Sequence, residues 1–265
     1  MAHLSSVHHT MAEQGQHPTD DSIPSEQTLT EAIPHILAHA REKARLHGEA
    51  LGHVGTIEHL TILSLYELKK SAQKYGGPPP KEEDKRVSMR PDGGIFLLTW
   101  KGERYPVLII EDKCQGTNDT RHAEGKKKQA LGNAIERAFK NVNAAKMMCI
   151  HSPCFPYAIF ASGCDFHHTE TIAQRLEAGN MGYPNHYLDM SHKLPNTLDC
   201  DSLMPDIDVK KRVYSNGIQA DIASIFVKAH KWDEGKHSSS RWTAEEYQRI
   251  CCHIIDQTMA SIVST

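Results

Sequence analysis

Asp92, Glu111 and Lys113 are the side chains whose types and spacing could do chemistry rather than packing. They fall in one stretch, Met89 to Gln115 (MRPDGGIFLLTWKGERYPVLIIEDKCQ), with Pro91-Asp92 at its start and Glu111-Asp112-Lys113 at its end. Two carboxylates and an ammonium that converge can hold a divalent cation beside a water, which is hydrolytic chemistry. Whether they converge depends on the elements between them.

Those elements read as a β-hairpin. Gly94 to Thr99 is the first strand, Lys101-Gly102-Glu103-Arg104 the turn, and Tyr105 to Lys113 the second strand. The unbroken Val107 to Ile110 asks for a central position buried on both faces. Side chains alternate along a strand, so Glu111 and Lys113 share one face while Asp112 points to the other. An antiparallel return of this length brings Asp92 back beside Glu111 at the same sheet edge. Plainer readings stay open here. Asp92 suits a Pro-Asp-Gly-Gly turn, and Glu111 and Lys113 could be a salt-bridged strand end. However, charges set directly after four buried aliphatics are costly without a purpose.

The formal net charge is only −3, so no global charge announces a polyanion binder, and a binding surface must come from local clustering. Such a cluster comes after the hairpin. Arg121 to Lys146 carries seven Lys and Arg residues against Glu124 and Glu136. Leu131, Ile135, Phe139 and Val142 recur at helical spacing as a core-facing stripe, with Arg137 and Lys140 off it. An ordinary amphipathic helix with a solvated basic face would show the same pattern. Gly132-Asn133 interrupts it, leaving Asn133 either as a cap or with its amide turned toward whatever the basic face binds. Asn can pair bidentately with adenine, and Arg with guanine.

The remaining chain reads as a frame. Residues 1–25 are polar and without periodicity, which predicts a mobile tail; its histidines (His3, His8, His9, His17) have no fixed ligand geometry. Apolar spacing predicts helices over Thr28 to His47 and Thr56 to Tyr75, separated by Gly48 to Gly55. Gly76 to Pro80 and the charged Lys81 to Arg86 form a surface loop. Tyr157 to Ala161 is a further core strand. Asn216-Gly217 signals a turn, although the flanking alternation is too poor for a hairpin. Thr243-x-x-Glu246 opens the last helix as a capping box, with Tyr247, Ile250, Ile254 and Ile262 on its buried face. The whole is an α/β chain with a mixed central sheet flanked by helices, one unit over residues 26–265. Seven cysteines without CxxC spacing read as reduced thiols, so Cys149, His151, Cys154, Cys164, His167 and His168 are thiols and imidazoles rather than a zinc site. With no early cationic-apolar segment and no bilayer-length apolar run, a soluble cytoplasmic protein is expected, with no membrane partner.

Four segments then carry a resemblance. Pro91-Asp92-Gly93-Gly94-Ile95, Glu111-Asp112-Lys113-Cys114-Gln115-Gly116, Gly132-Asn133-Ala134-Ile135-Glu136-Arg137 with Lys140-Asn141, and Phe155-Pro156-Tyr157 resemble, in order, the EcoRI-like type II restriction endonucleases. The match covers about Arg90 to Pro184. The resemblance implies a restriction-endonuclease-like PD-(D/E)xK core in which Asp92 and Glu111 carry Mg²⁺ and Lys113 orients or activates the attacking water. It implies that Asn133, Ala134 and Arg137 of the GNAxER motif read the inner AATT from the major groove, with Glu136 bracing the arginine. Arg175 falls in a segment similar to one that contacts the outer base pair; a companion arginine of the family is replaced by Ile172. Asp112 stands where better-known members have a small residue.

By resemblance, the reaction is Mg²⁺-dependent hydrolysis of both strands of duplex DNA at a palindrome containing AATT, GAATTC in the first instance, leaving 5′-phosphate ends. A palindrome asks for a two-fold homodimer, and a separate DNA methyltransferase would protect the host's own sites. A structure-selective repair or junction nuclease would share the metal site without needing Asn133 and Arg137. A DNA-binding protein without catalysis would bind such sites and leave them intact.

Overall fold

The computed structural model describes residues 22–114, 133–163, 166, 169–179, 186–189, 207–213, 217, 219–229 and 241–265. In chain order the elements are α1 (Ser22–Leu51), β1 (Thr56–Leu60), β2 (Leu63–Ser64), α2 (Leu65–Gln73), a 3₁₀ turn (Glu82–Arg86), β3 (Ser88–Met89), β4 (Gly94–Trp100) and β5 (Glu103–Cys114). Beyond these come α3 (Asn133–Met148), β6 (Tyr157–Ser162), α4 (Thr169–Gly179), β7 (His186–Asp189), β8 (Arg212–Val213), β9 (Gln219–Ala220), β10 (Ser224–Lys228) and α5 (Ala244–Val263). Six strands form one mixed sheet in the order β1-β4-β5-β6-β10-β7, antiparallel from β1 to β5 and parallel from β5 onward. This is the α/β architecture anticipated from the sequence. Among the described residues, no helix is long and apolar enough to cross a membrane.

β5 lies inside the sheet, paired to β4 on one side and β6 on the other. Val107, Leu108, Ile109 and Ile110 are accordingly fully buried, each burial contributing about 1.5–3 kcal/mol. The β4–β5 turn is Lys101-Gly102, both at positive φ, and the ladder closes as Trp100 opposite Glu103. One sheet face is covered by α1 and α5. They meet through Leu29, Ala32, Ile36, Ala40 and Ala44 of the first and Tyr247, Ile250, Cys251, Ile254 and Met259 of the second. The small alanines let the two helices approach closely. Thr243 caps α5 by accepting from the Glu246 backbone N–H, while the Glu246 carboxylate accepts from the Thr243 N–H, as the motif predicts. The other face packs against α2 and α3, with Ile135, Ala138, Phe139 and Val142 on Ile95, Ile109, Tyr157 and Ile159.

Two expectations are corrected. The helix expected over Thr56 to Tyr75 is a strand followed by a shorter helix. Thr56-Ile57-Glu58-His59-Leu60 pairs antiparallel with β4, and α2 starts only at Leu65. Leucine spacing suggests one long helix, but β-branched residues and the open flank of β4 favour a strand. The capping box of Ser64 and Glu67 marks the true helix start. At Gly217, whose φ is +79°, a short hairpin does form, with Val213 opposite Gln219 and Arg212 opposite Ala220. Its two-residue strands are too short to show alternation. The tail expected over 1–25 lies outside the described residues except for Ser22 to Ser25, which open α1. Leu131, Cys164, His167 and His168 also lie outside them.

Candidate active site

Asp92 is held by a turn of glycines. The Gly94 N–H donates to the Pro91 carbonyl at 3.0 Å, and the Gly93 N–H to the Ile110 carbonyl at 3.0 Å, locking the turn onto β5. A Cβ on Gly93 would lie 2.6 Å from Ile110 Cβ, so only glycine admits this close approach. Gly94 sits at φ +80°, a left-handed conformation that costs other residues energy. The Asp112 backbone N–H donates to Asp92 Oδ2 at 3.0 Å. The turn and the strand end are thus joined at the Asp92 carboxylate itself.

Lys113 Nζ lies 2.6 Å from Asp92 Oδ2 and 2.7 Å from Glu111 Oε1, and donates to the Asp112 carbonyl at 2.9 Å. The three residues selected from the sequence therefore meet at one point. Exposure grades across them: Glu111 is 2% exposed, the Lys113 side chain 18% and the Asp92 side chain 31%. The cluster opens to solvent on the Asp92 side. Burial pushes the Glu111 carboxyl above its ordinary value; Lys113 pulls it back and Asp92 adds to the push. Burial works against the Lys113 charge, but the carboxylates of Glu111 and Asp92 outweigh it and hold its ammonium above the usual range.

Two further groups hold Glu111, and sequence reasoning does not mark them as site residues. Asn141 Nδ2 lies 3.3 Å from Oε1 and 3.1 Å from Oε2, and the Tyr157 hydroxyl donates to Oε2 at 3.2 Å. Burial and the neighbouring Glu111 raise the Tyr157 phenol well above its ordinary value, so it remains a donor. Strand registry makes the Tyr157 contact intelligible once the pairing is known. β5 and β6 pair in parallel with Ile109 opposite Tyr157, and Ile109 and Glu111 share a face. Asn141 is one helical turn beyond Arg137.

Asp112 points the other way, as alternation requires. Its carboxylate accepts from Ser25 Oγ at 2.6 Å and the Tyr247 hydroxyl at 2.8 Å, between α1 and α5. Burial pushes it up to about 6 against the pull of those two hydrogen bonds. The position that departs from the resemblance is therefore filled by a buried, doubly bonded acid on the back of the strand.

The donor set fits a hard cation such as Mg²⁺. Asp92 and Glu111 offer oxygen donors to the point now spanned by the Lys113 ammonium. Among the described residues no cluster of three or more His, Cys, Asp or Glu side chains could hold a metal ion. Mg²⁺ commonly binds through one or two carboxylates, with waters and substrate phosphates completing its shell.

The other selected residues lie along α3 and α4. Asn133 opens α3, but its side chain is outside the described set. Ala134 is half-buried against the core, Arg137 is exposed, and Glu136 forms an ion pair with Arg175 of α4. The carboxylate expected to brace Arg137 is instead joined to Arg175.

The sequence profile described as restriction endonuclease EcoRI matches residues 84–264. The chain is 29% identical over 188 residues to the type II restriction enzyme RsrI of Cereibacter sphaeroides, covering 64% of this chain and 67% of that enzyme. It is 34% identical over 88 residues to the type II restriction enzyme EcoRI of Escherichia coli, covering 30% of this chain and 32% of that enzyme.

Proposed function

Because the chain belongs to the EcoRI restriction endonuclease family, and is thereby a site-specific DNA endonuclease, we propose that it hydrolyses both strands of duplex DNA at a palindrome containing AATT. GAATTC is the first candidate site, and the products carry 5′-phosphate ends. The observation that carries this reading is the convergence of Asp92, Glu111 and Lys113 at 2.6 and 2.7 Å, beside the helix that bears Arg137. Asp92 and Glu111 would hold Mg²⁺, which when bound lowers the pKa of a water and offsets charge on the phosphate. Lys113 lies between the two acids, where its ammonium stabilises negative charge developing on the phosphoryl oxygens. Tyr157 and Asn141 orient the Glu111 carboxylate.

Asn133, Ala134 and Arg137 read the inner bases in this proposal; Arg175 is assigned to the outer pair, with Glu136 bracing it. Supporting this division, α3 turns its apolar side to the core and leaves Arg137 exposed, able to reach a groove. We take residues 26–265 as one catalytic and DNA-binding unit, acting as a cytoplasmic homodimer so that its two-fold axis matches that of the palindrome. A DNA methyltransferase of the same specificity would be its functional counterpart. The test is to incubate the protein with Mg²⁺ and a plasmid of known sequence, then sequence the ends. Uniform ends at AATT-containing sites are expected; random ends, or cutting only at branched structures, would refute the reading.

A further inference from the structure

β1 is an edge strand of the sheet, and one of its side chains reaches the turn that carries Asp92. His59 stands opposite Phe96 in the β1–β4 ladder, so the two side chains share a face. That face is the one covered by α1 and α5, behind the face on which α3 meets Glu111. The imidazole packs on the Phe96 ring at 4.5 Å between centroids, tilted by 35°. From there its Nε2 lies 3.0 Å from the Gly93 carbonyl oxygen. A carbonyl only accepts, so Nε2 carries the hydrogen, in the neutral ring as in the imidazolium. Gly94 makes room for this contact, because a Cβ there would lie 2.5 Å from Nε2. Gly93 is thus gripped from two strands: its N–H donates to the Ile110 carbonyl on β5, and its carbonyl accepts from His59 on β1. A glycine offers no side chain to limit its own torsions, so these bonds decide where the residue before it points.

We propose that His59 is a positioning residue for the nuclease reaction: by holding the Gly93 carbonyl from the edge strand, it fixes the Asp92 carboxylate beside Glu111 and Lys113. The proposal rests on the functional reading above, in which Asp92 is a metal donor. Asp92 is the most exposed of the three site residues, with its side chain 31% exposed, so packing holds it least and the turn must hold it instead. The bonds to β5 secure one side of that turn, and His59 secures the other. In this account the imidazole touches neither the cation nor the DNA; it acts through the Gly93 peptide.

The experiment compares variants of the full chain. His59→Leu keeps an apolar side chain against Phe96 and removes the donor, whereas His59→Gln restores an N–H at a similar reach. His59→Val, β-branched as strands prefer, is a second donor-free variant with the same expectation as the leucine. Initial cleavage rates with Mg²⁺ over a series of AATT-duplex concentrations separate kcat from KM. The donor-free variants should lose about 10–100-fold in kcat with KM little changed, the span usual when a partner behind a metal ligand is removed. His59→Gln should recover most of that loss. Gly102→Ala, strained at the far end of the hairpin, supplies the comparison and should keep its kcat at a similar loss of melting temperature. A crystal structure of His59→Leu, which needs no activity, should show the Asp92 carboxylate withdrawn from the Asp112 N–H. Donor-free variants that keep the wild-type kcat, that slow no more than Gly102→Ala, or that leave Asp92 in place would overturn the positioning role. A wild type that cuts no duplex would instead defeat the functional reading, and the crystal structure would still decide whether His59 holds Asp92.

Discussion

The Tyr247 hydroxyl donates to Asp112 Oδ1 at 2.8 Å, fastening the last helix to the middle residue of the Glu-x-Lys strand end. Ser25 of the first helix donates to the other oxygen at 2.6 Å. β5 thus carries Glu111 and Lys113 on one side and an anchoring acid on the other.

That anchor makes stability depend on pH. Burial raises the Asp112 carboxyl from an ordinary 3.8 to about 6. The folded protein therefore holds this proton more tightly than the unfolded chain, so the contribution to stability is fully present below about pH 4 and is lost as pH rises through about 6. A shift of this size corresponds to about 3 kcal/mol. Asp112→Asn keeps an acceptor but not the charge. Denaturant unfolding from pH 4 to 8 should show the variant gaining on the wild type by up to about that amount. A stability difference that stays constant over the range would contradict the assignment.

Glu111→Ala should abolish cleavage while sparing sequence-specific binding, because in the proposed site it removes a metal donor and no base contact. Filter binding and plasmid digestion read the two separately. A variant that cuts at the normal rate would remove Glu111 from the site.

Arg137→Ala should lose about 1–3 kcal/mol of discrimination per base contact given up. Competition between AATT-containing and scrambled duplexes measures it. An unchanged preference would refute base reading by this residue.

Gly94 and Gly102 share a φ of +80° and differ in what surrounds them. At Gly102 a Cβ meets nothing within 4 Å, so Gly102→Ala should cost only about 1–2 kcal/mol of backbone strain and leave cleavage intact. At Gly94 a Cβ would lie 2.5 Å from His59 Nε2 and 2.7 Å from the Leu60 carbonyl oxygen. Gly94→Ala should therefore cost more stability than Gly102→Ala and displace Asp92, lowering the cleavage rate. Thermal melts of the two variants, with initial cleavage rates beside them, make the comparison; equal effects would mean that the turn does not set the position of Asp92.

The hairpin is legible in the sequence because strand alternation is a strict geometric rule: it puts Glu111 and Lys113 on one face and sets Asp112 apart. It cannot say what Asp112 meets, since Ser25 and Tyr247 approach from helices 87 and 135 residues away. β1 escapes sequence reading for a related reason. Leucines in Thr56 to Gln73 fit a helical period, and only the unpaired side of β4 decides for a strand. Asn141 lies one helical turn past the GNAxER motif, yet its contact with Glu111 depends on how α3 is laid across β5. The Glu136 ion pair with Arg175 likewise comes from the packing of α4 beside α3, which no periodicity reports.

The sheet also implies an order of assembly. β4 and β5 close through two residues, so the turn holding Asp92 can meet the end of β5 as soon as that hairpin exists, at little loop-closure cost. The opposite side of the same strand waits for the pairing of α1 with α5, where Ser25 and Tyr247 approach within 3.4 Å across 222 residues. Contacts of such span form slowly. Asp92 and Glu111 are therefore expected to meet early in folding, whereas the support behind Asp112 is completed only when the last helix docks.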